Sequence, residues 1–139
     1  GDHQPGLCND FIKLLNGKGN SGLTEQELEN LYKVPFFIWT NYETDAQTVD
    51  VTSLNYLSTL TLERANIDLP AYNQFLAELM EKIPAINSRG YYSKKNECFM
   101  HVDEATGDEA KWIKAYNILQ YNSMFDEKDR SSLLFPYLK

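Results

Sequence analysis

Asp2 and His3 are the two neighbouring residues whose chemistry could be used together. A carboxylate beside an imidazole suits a divalent cation such as Zn²⁺ or Mn²⁺. In a regular strand, adjacent side chains point to opposite faces. Both can therefore reach one metal only where a strand has ended and the chain is turning. Gly1 allows such a turn, while Pro5 fixes the backbone that follows and holds Gln4 extended. The same two residues also read simply as an Asp-His dipeptide at a chain terminus. The other histidine, His101, has Cys98 three positions before it, and that spacing alone defines no site. There is no P-loop, no Rossmann glycine fingerprint and no Gly-x-Ser-x-Gly elbow.

The elements that would carry these residues can be followed along the chain. Residues 16–22 (Asn-Gly-Lys-Gly-Asn-Ser-Gly) read as a loop. Thr24 and Glu27 have the spacing of a capping box, which predicts a short helix over 24–32. Val34-Pro35-Phe36-Phe37-Ile38-Trp39-Thr40 is short and apolar on both faces, as a buried parallel strand would be. Asn41-Tyr42-Glu43 follows it, where α/β folds place ligand loops; Glu43, Asp45 and Asp50 read as solvated. Thr52 or Ser53 can cap a helix carrying Leu54, Leu57, Leu60 and Ala65. Pro70 suits the first turn of another helix, whose stripe is Tyr72, Phe75, Leu76, Leu79, Met80 and Ile83. Ala85–Tyr92 and Glu97–Val102 read as a hairpin. A second capping-box spacing, Thr106 and Glu109, opens a helix over about 106–122. Trp39, Trp112, Tyr116 and the Phe36-Phe37 pair are expected in the core.

A chain of 139 residues is one domain's worth, and 42% hydrophobic with 13% aromatic residues is enough for a packed core. Thirteen basic against twenty acidic side chains give a net charge of -7. Residues 1–50 hold 3 basic and 8 acidic of these, so the negative end is the N-terminal third. A surface of this sign repels phosphate backbones, so no nucleic-acid partner is expected. No stretch approaches the ~20 apolar residues of a membrane span. Cys8 and Cys98 are the two cysteines, compatible with one bridge or with two free thiols. The chain opens Gly1-Asp2-His3 without Met, which suggests a processed, tagged or excised piece.

One series of residues is specific when taken together. Gly1-Asp2-His3-Gln4-Pro5, a Gly-rich loop and short helix, and then Tyr32-Lys33-Val34-Pro35-Phe36-Phe37-Ile38-Trp39-Thr40-Asn41-Tyr42 follow in order. Asn55-Tyr56-Leu57, Leu69-Pro70, Gly90-Tyr91-Tyr92 and Ile118-Leu119-Gln120-Tyr121-Asn122 come later. The series resembles the C-terminal part of the lipoteichoic acid synthase-like phosphoglycerol transferases, members of the sulfatase and alkaline phosphatase superfamily.

The resemblance implies that residues 1–139 are the C-terminal fragment of one sulfatase-like catalytic domain. The fold expected from it is α/β, the C-terminal portion of an alkaline phosphatase-like layered fold. One buried strand and a small hairpin would be packed by about four helices. Asp2 and His3 would be two ligands of a catalytic divalent metal, usually Mn²⁺, with Zn²⁺ or Mg²⁺ as alternatives. The nucleophilic Thr and a Glu ligand would lie upstream, so no catalytic residue is assigned within the chain, and the chain alone is expected to be inactive. The substrate would be a phospholipid headgroup, met at the outer face of a bacterial membrane by a membrane-anchored parent. A sulfatase or phosphodiesterase of the same superfamily is the near alternative, and a non-catalytic binding module the distant one. The expected partners are the upstream part of the same polypeptide and, through an open sheet edge at Phe36–Thr40, a second copy of the chain.

Overall fold

The computed structural model describes Gly6, residues 8–136 and Leu138. The described residues form a mixed α/β structure of five α-helices and one two-stranded antiparallel sheet. The helices are α1 (Asn9–Asn16), α2 (Glu25–Asn30), α3 (Leu57–Arg64), α4 (Ala71–Lys82) and α5 (Gly107–Phe125). The strands are β1 (Gly90–Ser93) and β2 (Cys98–His101), paired with Gly90 opposite His101 and Ser93 opposite Cys98.

The helix α1 went unread in the sequence. It is only two turns long, and Cys8 before it makes no side-chain cap. Its end is a left-handed Gly17 at φ 77°, whose N–H donates to Lys13 O. The loop after it folds back so that Asn20 N donates to Asn9 Oδ1 at 2.8 Å. Gly19 makes this approach possible: its φ is 72°, and a Cβ there would stand 2.8 Å from Asn9 Oδ1.

The capping box of α2 forms as expected. Glu27 N donates to Thr24 Oγ1 at 3.2 Å, and Thr24 N donates to Glu27 Oε2 at 2.8 Å. The Thr24 backbone N–H, followed by Lys18, holds the Glu27 carboxyl below its ordinary range. The helix then docks on the sheet through one face, with Glu25 and Glu29 one turn apart. Arg89 grips Glu25 at 3.1 and 3.2 Å, and Asn87 Nδ2 donates to Glu29 Oε2 at 2.8 Å.

The core is Tyr56, Leu76, Leu79, Ile83, Ile86, Tyr91, Ile113 and Tyr116. The stripe read on α4 is the one observed: Leu76 and Leu79 are buried, and Tyr72, Phe75 and Met80 pack beside them. Pro70 stands just before this helix, and Lys94 Nζ caps its far end by donating to Glu81 O at 2.7 Å. Around α3 the expected stripe is displaced. A 3-10 turn at Leu54–Tyr56 leads into the helix and rotates Leu54 outward, where it is 83% exposed. Tyr56 and Thr59 are buried in its place. Ser53 caps nothing; its hydroxyl donates to Asn55 Oδ1 and accepts from Ile86 N.

The hairpin is shorter than expected. Ile86 makes only an isolated bridge to Tyr91, and the chain reverses at once because Asn87 Oδ1 accepts from both Arg89 N and Gly90 N. The helix α5 runs to Phe125, and the tail beyond it is irregular. Asn122 ties that tail back by accepting from Ser131 N and donating to Asp129 O. Phe135 then packs on Tyr72 with ring centroids 4.9 Å apart.

The expected buried strand at Val34–Thr40 is not formed among the described residues. The segment has no regular secondary structure and belongs to no sheet. Phe37 is 88% exposed and Trp39 77%, so neither is in the core. The physical reason is pairing: β1 and β2 pair with each other, and no described strand lies beside residues 36–40.

Candidate functional site

Asp2 and His3 lie outside the described residues. What the structure does place is the path leading away from them. It runs through α1, the Asn9-anchored loop and α2 into segment 34–40. Among the described residues, no three of His, Cys, Asp and Glu come together in a way that could hold a metal. Catalytic metal sites normally present at least three protein ligands, so Asp2 and His3 alone would not complete one.

His101 and Cys98 do not form a site. Asp103 N donates to His101 Nδ1 at 3.3 Å, and Glu104 Oε2 accepts from His101 N. The imidazole thus caps the short turn at Val102–Glu104. Cys8 and Cys98 are both free thiols.

The loop after segment 34–40 is pinned to the end of α3. Tyr42 OH donates to Arg64 O at 3.5 Å, and Arg64 Nη1 donates to Asp45 O at 3.3 Å. Thr40 Oγ1 donates to Tyr42 O and lies 3.3 Å from Thr44 Oγ1. A cleft of about 630 Å³ opens between this segment and α3, lined by Phe36, Ile38, Thr40, Val49, Leu60 and Arg64 among others. Among the described residues no hydrogen bond joins a hydroxyl of this lining to a carboxylate, and Glu43, Asp45 and Asp50 are exposed, as expected. The lining also includes Thr44, Asp45, Gln47, Thr48 and Glu63, so the cleft is as polar as it is apolar.

The polar cluster that sequence reasoning missed is structural. Tyr91 and Ser93 stand two apart on one face of β1, so both side chains reach the same place. Glu109 was expected to close a capping box with Thr106, but Thr106 makes no side-chain cap. The Glu109 carboxylate turns inward and accepts from Ser93 Oγ at 2.7 Å and Tyr91 OH at 3.1 Å. The visible signal was the Tyr-x-Ser alternation of the strand; the competing one was the local Thr-x-x-Glu spacing. Burial, then the Glu109 hydrogen bond and charge, push the Tyr91 phenol up to about 12. Burial also raises Tyr72 to about 12, and raises Tyr56 and Tyr116. The Tyr56 hydroxyl spends its proton on Ile83 O at 2.8 Å.

Comparison of the chain with family models, with curated proteins and with solved structures finds no match.

Proposed function

We propose that the chain is the C-terminal segment of a metal-dependent phosphoglycerol transferase of the sulfatase and alkaline phosphatase superfamily. In this reading the chain completes an alkaline phosphatase-like sheet whose other strands come from the upstream part of the same polypeptide. The observation that carries the reading is the state of Phe36–Thr40. Among the described residues this segment belongs to no sheet, and its aromatic residues Phe36, Phe37 and Trp39 are exposed, as they would be in a central strand that lacks its neighbours. The series from Asp2-His3 to Tyr42 supports it by resemblance.

The metal would be held by the Asp2 carboxylate and the His3 imidazole together with a Glu and the nucleophilic Thr from upstream. Its chemistry would be to lower the pKa of the Thr hydroxyl and to polarise the phosphoryl oxygens, with Mn²⁺, Zn²⁺ or Mg²⁺ all compatible with these donors. The substrate would be a phospholipid headgroup at the outer face of a bacterial membrane. A sulfatase or phosphodiesterase of the same superfamily would use the same two ligands.

The test is made in the complete protein. Asp2→Ala and His3→Ala should each abolish Mn²⁺-dependent release of glycerophosphate from phosphatidylglycerol and weaken Mn²⁺ binding in calorimetry. Wild-type Mn²⁺ binding in both variants would overturn the metal site and leave the non-catalytic module.

A further inference from the structure

His101 shares one face of the hairpin with charges that α2 and the neighbouring turns bring to it. It stands opposite Gly90 in the sheet, and residues opposite one another share a face. A Cβ at Gly90 would lie 3.0 Å from Glu29 Oε1, so this face is the one that α2 covers. Phe99, two residues before His101, shares it, with the Lys33 ammonium 5.6 Å from its ring centre. From α2 come the buried Glu29 and, one turn before it, Glu25, which Arg89 holds. From the turn after β2 come Asp103, with Oδ2 3.4 Å from His101 Nδ1, and Glu104, whose Oε2 accepts from His101 N. The imidazole is 38% exposed, so protons reach it from solvent.

The Nδ1 atom has two uses here, and they exclude one another. It accepts from Asp103 N at 3.3 Å, which requires a bare Nδ1 and puts the proton of the neutral ring on Nε2. Once protonated it is a donor, and the Asp103 carboxylate is the acceptor within reach. Histidine changes charge between about pH 5 and pH 8. Glu29, Asp103 and Glu104 attract a charged ring, whereas Arg89, Lys33 and the Asp103 N–H repel it. The other half of the capping box does not depend on this proton, because His101 N donates to Glu104 Oε2 in either state. The turn therefore opens at Asp103 and stays hinged at Glu104. We propose that His101 is a pH-operated cap: neutral, it closes the Val102–Glu104 turn through Asp103 N; protonated, it releases that N–H and pairs with the Asp103 carboxylate. A neutral hydrogen bond and an exposed ion pair are of similar size, so the exchange moves the turn without unfolding the protein. This turn joins β2 to α5, so acid loosens the joint between the hairpin and the last helix. The proposal stands on the sheet register and the capping geometry, whatever reaction the complete protein performs.

The experiment is nuclear magnetic resonance of the 139-residue chain, wild type and His101→Asn, from about pH 8 down to about pH 5. At the upper end the ring nitrogens of His101 should report a proton on Nε2 and a bare Nδ1. As the ring titrates, the protection of Asp103 N against hydrogen exchange, taken relative to the intrinsic rate at each pH, should fall roughly tenfold. Its midpoint should be that of the ring. His101→Asn places an amide oxygen where Nδ1 stood, an acceptor that takes no proton in this range, so Asp103 N should stay protected throughout. A proton on Nδ1 at the upper end overturns the proposal. So does protection at Asp103 N that does not change while the ring titrates. An equal fall in His101→Asn also overturns it, and assigns the change to a carboxylate. If the variant does not fold, the wild-type ring and the Asp103 amide decide by themselves.

Discussion

Glu109 reaches from the first turn of α5 to Ser93 on β1, with its Oε1 2.7 Å from the Ser93 hydroxyl, and it is this contact that fastens the hairpin to the last helix. Ser93 is fully buried, and its hydroxyl also accepts from Asn96 N in the hairpin turn. Removing the carboxylate leaves that hydroxyl without its acceptor and Tyr91 OH with only the Met100 sulfur, at 3.8 Å. Glu109→Ala should therefore cost about 1–3 kcal/mol in urea unfolding. A loss under about 0.5 kcal/mol, the size expected of an ordinary surface change, would contradict the contact.

Alkali should unfold the protein through its tyrosines. Their folded pKa values are raised, to about 12 for Tyr72 and Tyr91, against an ordinary value of 10.0. The unfolded chain therefore gives up phenolic protons first as pH rises. The stability these groups contribute is complete below pH 10, and it falls as pH climbs from there toward 12. Thermal melts across this range should fall steadily, and Tyr91→Phe should flatten the decline. A melting temperature that does not change up to pH 12 would refute the burial of these phenols.

Exposed and buried apolar residues should respond in opposite ways. Phe37→Ser and Trp39→Ser remove side chains that face solvent, so each should change the stability of the monomer by less than about 0.5 kcal/mol. Leu79→Ala empties a fully buried position and should cost about 2–5 kcal/mol. Denaturation at a concentration low enough to exclude association separates the two. A large loss at Trp39 would mean that the segment is packed.

Gly19→Ala should destabilise the joint between α1 and its loop. The substitution meets both a positive φ and the Asn9 side-chain Oδ1 that holds Asn20. The expected cost is about 1 kcal/mol. Hydrogen exchange should show it as faster opening at Asn20 N, and unchanged exchange there would count against the joint.

The long and strongly patterned elements were legible in the sequence. The α4 stripe and the Thr24–Glu27 box follow from spacing alone, because each depends on residues within one helix. The sequence misled where a residue had a local and a distant use. Glu109 had the right spacing to cap Thr106, yet two buried hydroxyls on β1 took it. Leu54 matched a helical stripe that the 3-10 turn rotated away. Phe36–Thr40 has the composition of a buried strand, but burial needs partners, and composition does not say whether they are present. Of the candidate site, Asp2 and His3 could be named from their chemistry, while their geometry lies outside the described residues.

The central claim is that this chain completes a catalytic domain begun upstream, and reading the coding sequence 5′ of Gly1 tests it most directly. The account predicts an open frame that continues upstream into strands, a Thr nucleophile and an acidic metal ligand. A start codon or a secretion signal immediately before Gly1 would contradict it and return Asp2-His3 to an ordinary terminal dipeptide.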